Sequence, residues 1–276
     1  MTRSALLLLM SLIFTGHADA GRVNTVGAPR SEALRNVEGY AIASCLAYQS
    51  QPYLQDQAGN WGSLIIQRGQ EPLEIWSVIL EAVKRSVAKA PMTVIKNDVN
   101  PEMVNLLPIL YCSEIIDQPA VRTAIQKTVA RLKPYYKQKN IPDGANTVGA
   151  PRSKALRNAE GYAIASCLVQ PQPYFKYQGY LKDIGYLKDQ GDGWTSVIMQ
   201  REKAPVEIWA ALQDAVKREV AKGDMVIILP ETGSEKVKLL PVVYCGEIID
   251  KPAVSAAIQM IVAKLKTYYK QGNIPR

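Results

Sequence analysis

The chain has 276 residues, 47% of them apolar and 21% charged, with a formal net charge of +8 and one histidine, His17. The apolar fraction excludes a disordered chain, and the length suits one large domain or two ordinary ones. A single imidazole leaves Ser-His-Asp or Cys-His nucleophile activation and His-ligated zinc with almost nothing to build on.

Residues 1–20 read as a cleaved export signal. Arg3 supplies the positive start, "ALLLLMSLIF" the apolar run and Ala18-Asp19-Ala20 the small-x-small cleavage pattern. That run is shorter than the roughly 20 residues a bilayer span takes, so no membrane insertion is expected. The mature chain should start near Gly21 in the periplasm and contain no histidine, because His17 leaves with the signal. A basic exported chain points to an acidic protein partner or anionic envelope polymers, and away from nucleic acid.

The first helix is expected to open at Ser31 as N-cap, with Leu34, Val37, Ala41, Cys45 and Tyr48 on one face. A short second helix should carry Trp61, Leu64, Ile65 and Arg68. The clearest pattern is "EPLEIWSVILEAVKRSVAKA" at residues 71–90, with Leu73, Trp76, Leu80, Val83 and Val87 as its stripe and Pro72 in its first turn. Residues 91–100 break the pattern as a loop or short extended segment. Asn100-Pro101-Glu102 is expected to start another helix, which Pro108 would kink. Asp117 reads as the N-cap of a last helix with Pro119 in its first turn and Val121, Ile125, Val129 and Leu132 facing inward. "TVI" at 93–95 and "MVIIL" at 225–229 are the only strand-like runs.

The same text then returns. "NTVGAPRSEALRNVEGYAIASCL" at 24–46 recurs at 146–168, differing only at Glu32/Lys154 and Val37/Ala159. "LLPILYCSEIIDQPAV" at 106–121 recurs as "LLPVVYCGEIIDKPAV" at 239–254. The offset grows from 122 to 133 residues, and the 11 extra residues lie in "GYLKDIGYLKDQ" at 179–190. A period this long is the size of a domain and too long for a solenoid repeat. The chain therefore divides into repeat domains at 24–143 and 146–276, joined by the Pro-, Gly- and Asn-rich "IPDGANTVGAPRS".

Each copy holds two cysteines, and four cysteines in an exported chain allow three pairings. If the repeat is the folding unit, Cys45 bonds Cys112 and Cys167 bonds Cys245. The expected fold class is all-α, two tandem copies of a small disulfide-pinned bundle of about five helices.

Glu114 and Asp117, repeated as Glu247 and Asp250, are the one carboxylate pair that suggests glycosidase-type chemistry. Capping and loop hydrogen bonding around the Asp-x-Pro start is the favoured reading of them. Trp61, Trp76, Trp194 and Trp209 sit at helical spacing and read as core; "KPYYK" and "KTYYK" read as helix ends. No phosphate loop, metal-ligand cluster or nucleophile motif stands out, and no cofactor is expected.

The export signal, "GYAIASCL" on a first helix, a tryptophan-bearing middle and the Tyr-Cys-x-Glu-x-x-Asp pattern of "YCSEIID" together resemble the periplasmic immunity proteins that neutralise type VI secretion amidase effectors. The likeness spans roughly residues 31–137 and 153–270. It implies a helical, non-enzymatic inhibitor domain that binds a secreted peptidoglycan amidase and blocks its cleft with a projecting loop, typically as a dimer. This chain departs from that pattern as a fused double, whose copies would imitate the dimer. The resemblance does not place the blocking loop; the segments between helices that differ between the copies, residues 91–100 and 223–234, are the candidates for partner binding, with Lys96, Asn97, Asp98, Glu231, Thr232 and Glu235 as candidate contacts. The alternatives are an envelope enzyme using the repeated carboxylates on a polysaccharide, and a non-inhibitory periplasmic adaptor.

Overall fold

The computed structural model describes residues 30–69, 71–89, 91–92, 94–96, 104–132, 134–136, 152–170, 181–223, 227–228 and 238–270. The expected export signal at 1–20 and residues 141–151 of the join lie outside them. The described residues form an all-α fold with two disulfides and two minimal hairpins. Among them no helix is long and apolar enough to cross a membrane.

The first half runs α1 (Glu32–Ala47), α2 (Pro52–Gly69), α3 (Glu74–Val87), β1 (Val94–Lys96), β2 (Val104–Leu106), α4 (Pro108–Glu114), a 3-10 turn (Ile115–Asp117) and α5 (Pro119–Leu132). The second half repeats that order: α6 (Lys154–Val169), α7 (Leu181–Glu202), α8 (Glu207–Ala221), β3 (Ile227–Ile228), β4 (Lys238–Leu239), α9 (Pro241–Glu247), a 3-10 turn (Ile248–Asp250) and α10 (Pro252–Lys270).

Helix α1 starts where a serine can satisfy an orphan N–H: Ser31 Oγ accepts from the Leu34 amide at 3.1 Å, and Ser153 does the same for Leu156. Val37, Ala41 and Cys45 are fully buried, but so are Gly39, Ala43 and Ser44 on other faces. The helix is enclosed because α2, α3, α4 and α5 all pack around it. The small side chains of "GYAIAS" permit that approach. Cys45 reaches Cys112 on α4 and Cys167 reaches Cys245 on α9, with Cα atoms 5.4 and 5.5 Å apart, the pairing expected from the repeat.

Helix α2 is longer than the short element expected. Leu54, Ala58, Trp61 and Ile65 recur at spacings of four, three and four and are all buried, so a continuous apolar face carries the helix through its polar first half. On α3 the buried stripe is Ile75, Trp76, Ile79, Ala82 and Val83; Leu73 lies before the helix and is 62% exposed. All four tryptophans are core, as read.

Two expectations fail between α3 and α5. Residues 104–106 form a strand where a helix was expected: Val94 pairs with Leu106 and Lys96 with Val104, antiparallel. Pro108 does not kink a helix but begins one, at a position where its fixed φ suits the helix and its missing N–H is not needed. The second difference concerns Asp117. It ends the 3-10 turn, Gln118 precedes α5 in extended conformation, and the Asp117 carboxylate is engaged elsewhere.

The halves also diverge by local rules. Helix α5 stops at Leu132, just before Pro134, whereas Thr267 at the equivalent place lets α10 run on to Lys270. The described part of the 11-residue insertion, including the second "GYLKD", is absorbed as the first turns of α7.

Helix α7 lies closer to α6 than α2 does to α1 at one point. Gly191 stands where the first half has Ala58, and a Cβ there would sit 2.7 Å from the Ala165 carbonyl oxygen and 2.7 Å from Val169 Cγ1. Gly191→Ala is therefore expected to lower stability by about 1–3 kcal/mol through overpacking. Gly59→Ala, in a helix interior with nothing within 4 Å of the new methyl, should raise it by about 0.5–1 kcal/mol. Urea melts of the two variants check the opposite signs.

Candidate functional site

The repeated carboxylates lie where the two halves meet, and each is held by an arginine of the other half. Arg152 precedes α6, and its guanidinium grips Asp117 of the first half through Nε at 3.0 Å and Nη2 at 2.5 Å. Its Nη1 donates to Glu160 of its own helix at 2.6 Å. Arg30 repeats the arrangement in reverse: Nε and Nη2 donate to Asp250 of the second half at 3.0 and 2.5 Å, and Nη1 to Glu38 at 2.6 Å. A two-point arginine–carboxylate grip fixes orientation as well as distance.

A second pair of reciprocal bridges flanks the first. Arg201 Nη1 donates to Glu114 Oε1 at 2.5 Å, and Arg68 Nη1 to Glu247 Oε1 at 3.0 Å. Farther out, Gln190 Nε2 donates to the Leu106 carbonyl at 2.9 Å and Gln57 Oε1 accepts from the Val242 amide. Tyr53 and Tyr186, equivalent residues, meet edge to face at 6.5 Å. Trp61 lies close enough to the second half that a Cβ on Gly246 would stand 2.6 Å from its ring. The four arginine–carboxylate bridges are reciprocal, residue i of one half meeting j of the other and j meeting i, the pattern of an isologous interface; the outer glutamine contacts are not.

Burial opposes the charge on Arg30 and Arg152, but the carboxylates around them outweigh it and raise both pKa values. The arginines stay cationic across ordinary pH, whereas burial pushes the Glu38 carboxyl up, against the pull of Arg30 and Arg152.

Above these bridges the halves leave a cleft of about 370 Å³. Arg30, Arg68, Arg152, Glu114, Glu247 and Asp250 line its charged parts; Trp61, Trp194, Ile42, Ile116, Ile164 and Ile249 line its apolar parts. Among the described residues no group of His, Cys, Asp or Glu side chains is arranged to hold a metal ion.

The site differs from the one read in the sequence. Glu114, Asp117, Glu247 and Asp250 serve as ion-pair partners across the halves, where capping and loop hydrogen bonding was the favoured reading. The arginines that hold them were not singled out. Arg30 and Arg152 sit in the most faithfully repeated text, and Arg68 and Arg201 in equivalent positions, yet no local rule says that a side chain will cross to the other half. Of the expected partner contacts, Lys96 ends β1; Asn97, Asp98, Glu231, Thr232 and Glu235 lie outside the described residues.

No family model, no curated protein and no solved structure matches the chain.

Proposed function

We propose that the protein is a periplasmic immunity protein that binds and occludes a type VI secretion peptidoglycan amidase effector. The observation that carries this reading is the fate of the repeated carboxylates. All four are tied to arginines of the opposite half, so the motif that would serve an enzyme serves assembly. What remains is a shaped, cross-linked framework, and the resemblance of the sequence supplies the partner class.

In this reading residues 1–20 direct export and are removed, and the two disulfides form in the oxidising periplasm. The framework carries two hairpins whose connections, residues 97–103 and 229–237, differ in length and text. These connections block the amidase cleft, through Asn97, Asp98, Glu231, Thr232 and Glu235, with Lys96 at the base of the first. A surface held in shape before binding loses little conformational entropy on association. The net charge of +8 speeds encounter with an acidic effector and makes the on-rate salt-sensitive.

The test is coexpression with a periplasm-directed peptidoglycan amidase encoded beside this chain, with growth and muropeptide release as readouts. Growth should be restored and a stoichiometric complex recovered. Continued lysis, with no amidase captured from the envelope fraction, would overturn the reading. Hydrolysis of an envelope polysaccharide by the purified protein, lost in Glu114→Gln/Glu247→Gln, would replace it with the enzymatic alternative.

A further inference from the structure

The cleft between the halves also holds groups that the interface does not use. Arg30, Arg68 and Arg152 are taken by carboxylates. Arg35 and Arg157, equivalent residues near the starts of α1 and α6, line the same cleft and have no acidic partner among the described residues. Arg157 Nε is shut off from water without a hydrogen-bond acceptor, and so is Trp61 Nε1, on an indole only 3% exposed. Buried donors left without acceptors are costly, and a native structure holds few of them without a reason.

Two guanidiniums without an acidic partner among the described residues, Arg35 exposed and Arg157 half-buried, leave positive charge in the cleft that an anion can meet. The wall gives that anion a shape: the indoles of Trp61 and Trp194 with Ile42 and Ile164 offer an apolar surface beside the arginines. It also limits the charge. Arg30, Arg35, Arg68, Arg152, Arg157 and Lys251 on the cleft wall are answered by Glu32, Glu38, Glu114, Glu247 and Asp250, a surplus of one positive charge that a single carboxylate matches better than a multiply charged phosphate. The volume of about 370 Å³ lies within the range of small-molecule sites, roughly 300–1,000 Å³.

We propose that this cleft binds a small organic monocarboxylate, its head on Arg35 and Arg157 and its apolar body between the tryptophans and isoleucines. The proposal does not depend on the amidase reading. Binding is measured on the mature chain by titration calorimetry and tryptophan fluorescence, with sodium hexanoate and phenylacetate as probes and hexylamine and inorganic phosphate as controls. The two carboxylates should saturate one site and change the fluorescence, and the controls should do neither. Arg35→Gln and Arg157→Gln should each weaken carboxylate binding at least tenfold with the melting temperature unchanged, because neither side chain has an acidic partner to lose. Arg157→Lys, which keeps the charge without the planar fork, should fall between. Absence of saturable binding by both carboxylates, equal binding of phosphate, or wild-type affinity in the glutamine variants would each overturn it.

Discussion

Arg152→Ala is expected to lower the unfolding free energy by about 3–5 kcal/mol, the usual cost of removing one partner from a buried ion pair. The side chains of Arg152 and Asp117 are each 13% exposed, so water entering from the cleft replaces the lost guanidinium only in part. Truncation strands two carboxylates at once, Asp117 and Glu160, which share that one cation. Asp117→Asn should cost less, about 1–2 kcal/mol, because Arg152 keeps Glu160 and the amide oxygen still accepts one N–H. Arg30→Ala should behave like Arg152→Ala, since Arg30 binds Asp250 and Glu38 in the same geometry. Urea denaturation followed by circular dichroism measures all three. If the arginine variants melt within 0.5 kcal/mol of the parent, on the order of an ordinary surface change, the two halves are not joined by these bridges in solution.

Buried ion pairs add little stability over apolar residues of the same size, and their effect lies more in fixing one arrangement. Here the arrangement has a stringent condition. Arg30 meets Asp250 while Arg152 meets Asp117 only when the halves are related reciprocally; a slipped packing would leave at least one guanidinium and one carboxylate buried and alone. A disfavoured alternative of that kind specifies how the halves sit.

Local chemistry was legible where the controlling atoms lie close in sequence. Ser31 reads as an N-cap because its acceptor serves an amide three residues on. The tryptophans read as core because their neighbours recur with helical period. The disulfide partners were legible through the repeat, which places both cysteines of each bond in the same copy of the text. Residues 104–106 were misread because Leu106, Leu107 and Leu110 mimic helical spacing, while β2 is settled by its partner strand ten residues earlier. Asp117 was misread for a related reason. Asp-x-Pro is a sound capping pattern, but a guanidinium from the other half outcompetes a backbone N–H for the carboxylate. The identity of the cleft was the least legible feature. It exists only between halves, and its two unpaired arginines look in sequence like any exposed basic residues on an amphipathic helix.

Cys45→Ala/Cys112→Ala should lower stability by about 4 kcal/mol, and Cys167→Ala/Cys245→Ala by nearly the same. In the chain-entropy account the cost follows the logarithm of the closed loop, and separations of 67 and 78 residues differ little on that scale. All four cysteines are fully buried against the central helix of their half, so the truncated side chains also leave unfilled volume. At the size of this chain that loss corresponds to a fall of roughly 8–16 °C in melting temperature. The unaltered protein should show a larger fall on full reduction, because both bridges then open together. Differential scanning calorimetry with and without reductant separates the contributions. A double-alanine variant that melts within about a degree of the parent would show that helix packing around α1 and α6, and not the cross-link, holds each half together.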